Sequence, residues 1–486
     1  MRIAPALGFV LAVIAGPAGL GQAPPSDPPT APVRVARLAD AAGLRRRLGL
    51  TPEYENLARV DAIRIAVLDY GFEGMGPGRP YLPDGTELIE HYDPEFVRRN
   101  GLGDPEYRKG FEPGNRHGRD MAQIIWAMTG SRPRGPQFVL LNANGPTMLR
   151  RAVRYAIERQ VDVILFSGSF EGGGNGDGRG PIDHVVDEAV GRGILWINAS
   201  GNQGGRVFTA PVRPLSDGYL RLRDGADIAS IRFRNRVDEN TVIVTLTWND
   251  YREEEDAGTD KDLDLFVEDP SGRVVGSGEK VQTSGDREVT DAETRNPRER
   301  VVLANLPALP VVSNPEATYR IRVRARAGRF EETDRIRILV TAARETFVLP
   351  GGTTPEEAVT FLDASNRSEI YPPADHSGVL TVGDASPSSS VGPTLDRRIK
   401  PDAVIADSRV DFTDGLITSG SSNAAAQVAG VVVLLKAAEP AFNPRHLLRL
   451  ARQGPLLSQG DRASLGLRSW QTPGRARLAD LVRTGR

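Results

Sequence analysis

The stretch Ile63-Arg64-Ile65-Ala66-Val67-Leu68-Asp69-Tyr70-Gly71 decides the reading of the fold. Four apolar residues run without alternation from Ile65 to Leu68, followed by a carboxylate and by a glycine that permits a tight turn. A strand that is apolar on both faces is buried on both, the pattern of a parallel sheet covered by helices. The chain downstream repeats the theme. Residues 120–128 read as a helix, 137–141 as a strand, 149–159 as a helix, 161–166 as a strand, 182–190 as a helix and 194–198 as a strand. Alternation at this spacing predicts an α/β fold, a parallel sheet flanked by helices.

Outward from this core the texture changes twice. From about Gly205 to 348 only short alternating runs are found, such as Thr241 to Thr247 and Leu263 to Val267, separated by turns rich in Gly, Pro, Asp and Asn. That is the pattern of an all-β sandwich or jelly roll. After Pro350 the α/β texture resumes, with a strand at 379–382 and an apolar helix at 422–437. The expected organisation is therefore a first α/β part at 61–204, an inserted β-jelly-roll domain at 205–348 and a second α/β part at 349–486. Residues 24–60 read as a Pro-rich linker and a short N-terminal segment with a basic helix near 35–48. Arg2, the apolar run 4–20 and the small residues of Gly21-Gln22-Ala23 predict a signal peptide over 1–23, and hence a secreted or periplasmic protein. The rival reading, a transmembrane anchor, meets Pro5, Gly8, Gly16 and Pro17 within the run. No later segment reads as a membrane span.

Composition narrows the chemistry. The 486 residues contain no cysteine, which excludes disulfides, thiolate catalysis and cysteine-ligated zinc. A formal net charge of -2 gives no global field that favours nucleic acid or an anionic membrane.

Four segments carry candidate chemistry: Asp69 at a strand end, His117 in Arg116-His117-Gly118-Arg119-Asp120, Asn202 in Ser200-Gly201-Asn202-Gln203-Gly204, and Ser422 in Ser421-Ser422-Asn423-Ala424-Ala425-Ala426. Each alone has a plainer reading. Asp69 and His117 suit helix caps, Asn202 a left-handed turn and Ser422 an ordinary N-cap. Together they supply what acyl transfer needs: a hydroxyl nucleophile, an imidazole base, a carboxylate to orient it and donors for an oxyanion.

In this order the segments resemble the subtilase (subtilisin-like serine protease) family. Tyr371-Pro-Pro-Ala-Asp-His-Ser-Gly-Val379-Leu-Thr-Val-Gly383 is similar to the family's strand before the serine, Lys400-Pro401-Asp402 to its substrate-side loop, and Gly474-Arg-Ala-Arg-Leu478 to its closing segment. The resemblance implies a serine endopeptidase acting on protein or peptide substrates, with a catalytic triad in which Asp69 orients, His117 is base and acid, and Ser422 is the nucleophile. It also implies an oxyanion hole containing Asn202, and a substrate-binding wall at Ser167, Gly168 and Ser169. No cofactor is needed for such chemistry. Tyr70, Arg119, Ser421 and Ala426 depart from the family pattern without removing a reacting group. These departures motivate an alternative, a weak or inactive subtilase scaffold that acts as an exported binding protein through its β-module. That module resembles the jelly roll that follows the catalytic domain in some secreted subtilases, although here it precedes the serine segment. Where Leu263, Leu265 and Val267 face its core, Asp262, Asp264 and Glu268 lie on the other side and suit either structural calcium or a solvated acidic face.

Overall fold

The computed structural model describes residues 37–449 apart from 49, 51–59, 76–80, 100–109, 131–134, 226–227, 255–256, 286–287, 310–316, 349–354, 445 and 447. The expected signal peptide and the closing segment at 474–478 lie outside the described residues.

The chain enters through α1 (Ala41–Arg47), whose N-cap Asp40 accepts from the Gly43 N–H. It then runs through β1 (Arg64–Asp69), β2 (Glu87–Ile89), α2 (Pro94–Arg99), α3 (His117–Met128), β3 (Gln137–Asn142), α4 (Pro146–Glu158), β4 (Val163–Phe166), α5 (Pro181–Val190) and β5 (Leu195–Ala199). Strands alone follow: β6 (Val207–Pro211), β7 (Ile231–Asn235), β8 (Asn240–Trp248), β9 (Asp262–Glu268), β10 (Val274–Gly278), β11 (Val281–Gln282), β12 (Glu293–Thr294), β13 (Arg298–Leu306), β14 (Tyr319–Ala327), β15 (Arg335–Ala342), β16 (Thr346–Val348), β17 (Pro355–Glu357) and β18 (Val359–Phe361). The last part holds β19 (Leu380–Asp384), β20 (Ala403–Ile405), β21 (Val410–Asp411), β22 (Ile417–Thr418) and α6 (Ser421–Ala438).

A seven-stranded parallel sheet in the order β2-β3-β1-β4-β5-β19-β20 forms the α/β part. Both of its faces are covered. Ile65 and Val67 of β1 pack with α3 and α6, whereas Ala66 and Leu68 pack with α4 and α5. All four residues are fully buried, which is why the stretch carries no polar alternation. Each large side chain so buried contributes about 1.5–3 kcal/mol. Helices α4 and α5 both begin with Pro at the first turn after a Gly, a start signal in the sequence itself. The apolar composition of α6 matches the length of a bilayer core, and 89% of it is buried in this fold. It crosses α3 so closely that a Cβ at Gly430 would lie 2.3 Å from the Met128 Cβ.

Between β5 and β19 the chain forms a five-stranded sheet, β10-β9-β14-β7-β18, and a four-stranded sheet, β13-β8-β15-β6, both antiparallel. Leu263, Leu265 and Val267 of one sheet and Val244, Ile336 and Ile338 of the other share a single apolar core. The opposite face of β15 is turned to the α/β part. Arg337 donates to the Ile370 carbonyl at 2.9 Å and lies over the Tyr371 ring at 4.2 Å, and Leu339 packs with Val207 and Tyr371. The four-stranded sheet is thus docked beside the C-terminal ends of the parallel strands, where open α/β sheets carry their ligand sites.

Candidate active site

Asp69 ends β1 and is 1% exposed. Its Oδ1 accepts from the backbone N–H of Tyr70 at 2.8 Å and of Gly71 at 3.3 Å, while its Oδ2 lies 2.7 Å from the His117 Nδ1. A carboxylate only accepts, so Nδ1 carries the imidazole proton and the Nε2 lone pair is left available. His117 opens α3. Its backbone N–H donates to the Asn115 Oδ1 at 2.9 Å, and the Gly118 N–H donates to the Gly71 carbonyl at 2.8 Å. Glycine is required at 118, because a Cβ there would lie 2.6 Å from the Asp69 Cβ. Burial opposes protonation of His117. The charge and hydrogen bond of Asp69, joined by Asp120 and Glu112, outweigh it and hold the imidazole above its ordinary value. The Tyr70 ring stacks on the imidazole, centroids 6.1 Å apart and planes 5° from parallel.

Ser422 is the second residue of α6, so its backbone N–H is one of those the helix leaves unpaired at its N-terminus. Ser421 donates from its hydroxyl to the Asn202 Oδ1 at 2.9 Å and from its backbone N–H at 3.4 Å. That pair fixes the amide oxygen and leaves the Asn202 Nδ2 as the group free to donate. His117, Ser422, Asn202, Ser167, Gly168 and Ser169 line one cleft. Within it the Ser422 hydroxyl donates to the Ser167 carbonyl at 3.3 Å, and among the described residues it makes no hydrogen bond to the imidazole. The Ser167 hydroxyl is buried without a partner.

Two other expectations fare differently. Asp262 and Asp264 are buried rather than solvated, and Arg324 and Arg326 take up the Asp264 carboxylate at 2.8 and 3.4 Å. Among the described residues no group of three or more His, Asp or Glu suits a metal ion. Lys400-Pro401-Asp402, read as a substrate-side loop, does not line the cleft. The Lys400 ammonium is buried and donates to Asp402 at 2.6 Å, to the Thr381 hydroxyl at 2.9 Å and to the Val379 carbonyl at 2.8 Å, so it braces β19.

The cleft also holds residues that the sequence reading missed. Tyr70, Glu171 and Gln203 line it, as do Leu339 and Thr341 of β15. Tyr70, Glu171 and Gln203 are near neighbours of residues already singled out, a signal that was present. Nothing in the chain order brings β15 to the same place.

Known proteins resemble the chain in part of its sequence and in its fold. The model described as "Subtilase family" matches residues 337–454, which include Asn423 and Ser422 but neither Asp69 nor His117. No curated protein matches the sequence. Among solved structures, the CspB protease of Clostridium perfringens is similar over 91% of this chain and 98% of its own, with a TM-score of 0.53 and 15% identity. A lanthipeptide protease is similar over 92% of this chain and 95% of its own, with a TM-score of 0.40 and 12% identity. The first likeness shows a shared fold, a parallel sheet with flanking helices.

Proposed function

We propose that this protein is an exported serine endopeptidase, with Asp69, His117 and Ser422 as its triad and Asn202 in its oxyanion hole. One observation carries the reading: the Asp69–His117 contact of 2.7 Å opens onto the same cleft as a serine at the start of an apolar helix. The subtilase-type fold and the family match over the serine segment support it. The Ser422 oxygen attacks the peptide carbonyl carbon as its proton passes to the His117 Nε2. The oxyanion accepts from the Asn202 Nδ2 and the Ser422 backbone N–H. Collapse expels the amine, which takes that proton and leaves an acyl-enzyme. Water activated by His117 then releases the acid and regenerates the serine. To begin this cycle the Ser422 hydroxyl swings from the Ser167 carbonyl toward Nε2, a tightening common between unliganded and reacting sites.

In the same reading, residues 1–23 direct export to a secreted or periplasmic location, and the two-sheet unit at 205–348 is an inserted jelly roll. The test is reaction with a fluorophosphonate and mapping of the labelled peptide. Label on Ser422, with hydrolysis of unfolded protein reduced roughly 10⁶-fold in Ser422→Ala, is the expected result. The pairing of the Ser422 hydroxyl with Ser167 rather than His117 favours a second reading, a scaffold that binds without cutting. Correctly processed protein that takes no label would establish that one instead.

A further inference from the structure

We propose that Glu171 makes this cleft selective for a basic side chain, lysine or arginine, in the bound peptide; the inference deepens the hydrolytic reading and rests on it. Among the described residues, Glu171 is the only ionisable acid or base in the cleft wall apart from His117 and the phenol of Tyr70. Its Oε2 accepts from the Thr245 hydroxyl of β8 at 2.9 Å. Among the described residues this is its one polar contact, so Oε1 is left without a protein partner.

Several acidic side chains in and around the two-sheet unit sit against arginine, among them Glu345 with Arg206 at 2.5 Å, Asp363 with Arg232 at 2.9 Å and Glu268 with Arg322 at 3.2 Å; Glu171 does not. Arg337 is committed to the Ile370 carbonyl and the face of Tyr371. Among the described residues Glu171 makes no direct ion pair, although the position is half-buried. A carboxylate left so is satisfied by a ligand that brings its own cation.

The surroundings fit the rest of such a ligand. Leu339 presents an apolar wall suited to the aliphatic stem of lysine or arginine. The Thr341 hydroxyl, also in the wall, is buried with no partner and offers a further acceptor. Thr245 spends its proton on Oε2 and so holds the carboxylate by one oxygen, with Oε1 unbonded. Three of these groups, Thr245, Leu339 and Thr341, come from the four-stranded sheet, and Glu171 from the loop after the proposed substrate wall at Ser167–Ser169. The two-sheet unit would thus build selectivity into a cleft whose other walls are largely backbone.

The experiment measures binding, so that it does not depend on turnover. Two peptides of otherwise identical neutral sequence, one with arginine and one with norleucine at the same position, are titrated into the full Ser422→Ala chain by calorimetry, with that position scanned along the peptide. The arginine peptide is expected to bind roughly ten- to hundredfold tighter at one position. Adding Glu171→Gln should bring the two peptides to within about twofold, and Glu171→Asp should restore part of the gap. Equal binding of both peptides at every position by Ser422→Ala would overturn the proposal, as would an arginine preference that survives Glu171→Gln. Should Glu171→Gln fail to fold, the arginine–norleucine comparison in Ser422→Ala still decides, and Thr341→Val is expected to narrow its gap. Fluorophosphonate labelling of the unsubstituted protein separates the two readings. Label without arginine preference removes the selectivity alone, and arginine preference without label removes hydrolysis while leaving the binding site.

Discussion

Two buried carboxyl groups, one in each part of the molecule, are treated in opposite ways. Asp69, at the end of β1, receives three donors: two backbone N–H groups on Oδ1 and the His117 ring on Oδ2. Glu299, on β13, receives the Gln282 amide at 2.6 Å but faces Asp262 and Asp264 across the sheet edge. Burial, with those two charges behind it, pushes the Glu299 carboxyl up to about 7, and burial with Asp264 pushes Asp262 to about 6. Asp262 even keeps one buried oxygen without a partner. The difference teaches that burial by itself does not make a carboxyl functional. What matters is whether donors converge on it, and whether one of those donors opens onto a cleft.

The comparison breaks most visibly at Asp69. Asp69→Asn keeps the shape but can donate to the imidazole, turning it to the wrong tautomer, and kcat/KM is expected to fall roughly 10⁴-fold with folding retained. Steady-state hydrolysis of a peptide substrate, with circular dichroism as the control, checks this. A loss of less than about tenfold would place Asp69 with the structural carboxylates.

The sandwich side gives the next largest effect, and it is a gain. A carboxyl whose folded value is raised favours the protonated form, so its stabilising contribution is complete below the ordinary value of 4.5 and disappears as pH rises through about 7. Glu299→Gln removes the ionisation. It is expected to raise unfolding stability at pH 8 by roughly 1–3 kcal/mol, with little change at pH 4. Denaturant melts at the two pH values measure it. An equal effect at both would show that packing, rather than charge, governs the position.

Much of the architecture was open to reading because parallel strands declare themselves. Buried on both faces, Ile65–Leu68 and Val163–Phe166 have no polar residue to confuse the period, and Pro146 and Pro181 mark helix starts. The candidate site was legible for a related reason: Asp69, Ser167 and Asn202 lie at or just after the C-terminal ends of β1, β4 and β5, which the topology places along one edge. Local pattern misled where a charge was involved. Lys400 reads as a loop residue, yet the fold buries its ammonium against Asp402 and two oxygen acceptors, a solution that depends on β19 and β20 being neighbours. The apolar period places the start of α3 at 120, three residues late, because Gly118 and the Asn115 side chain begin that helix. The presence of Leu339 and Thr341 in the cleft was not readable at all. It follows from the docking of one sheet on another part of the chain, and docking leaves no mark in a period of two.

The smallest effect concerns His117 and sharpens the comparison rather than breaking it. The imidazole value is raised in the folded protein, so its pairing with Asp69 stabilises fully below the ordinary imidazole value and that contribution is lost as pH rises through the raised one. Activity runs the other way, since only the neutral ring accepts the Ser422 proton. The acid limb of kcat/KM should therefore lie above 6.5, and over the same interval the midpoint of denaturation should fall slightly. Glu299→Gln should leave the limb of kcat/KM in place while altering the pH dependence of the midpoint. A limb at or below 6.5 would mean that burial of the ring outweighs the Asp69 charge, and the contact of 2.7 Å would then describe a structural pair rather than a catalytic one.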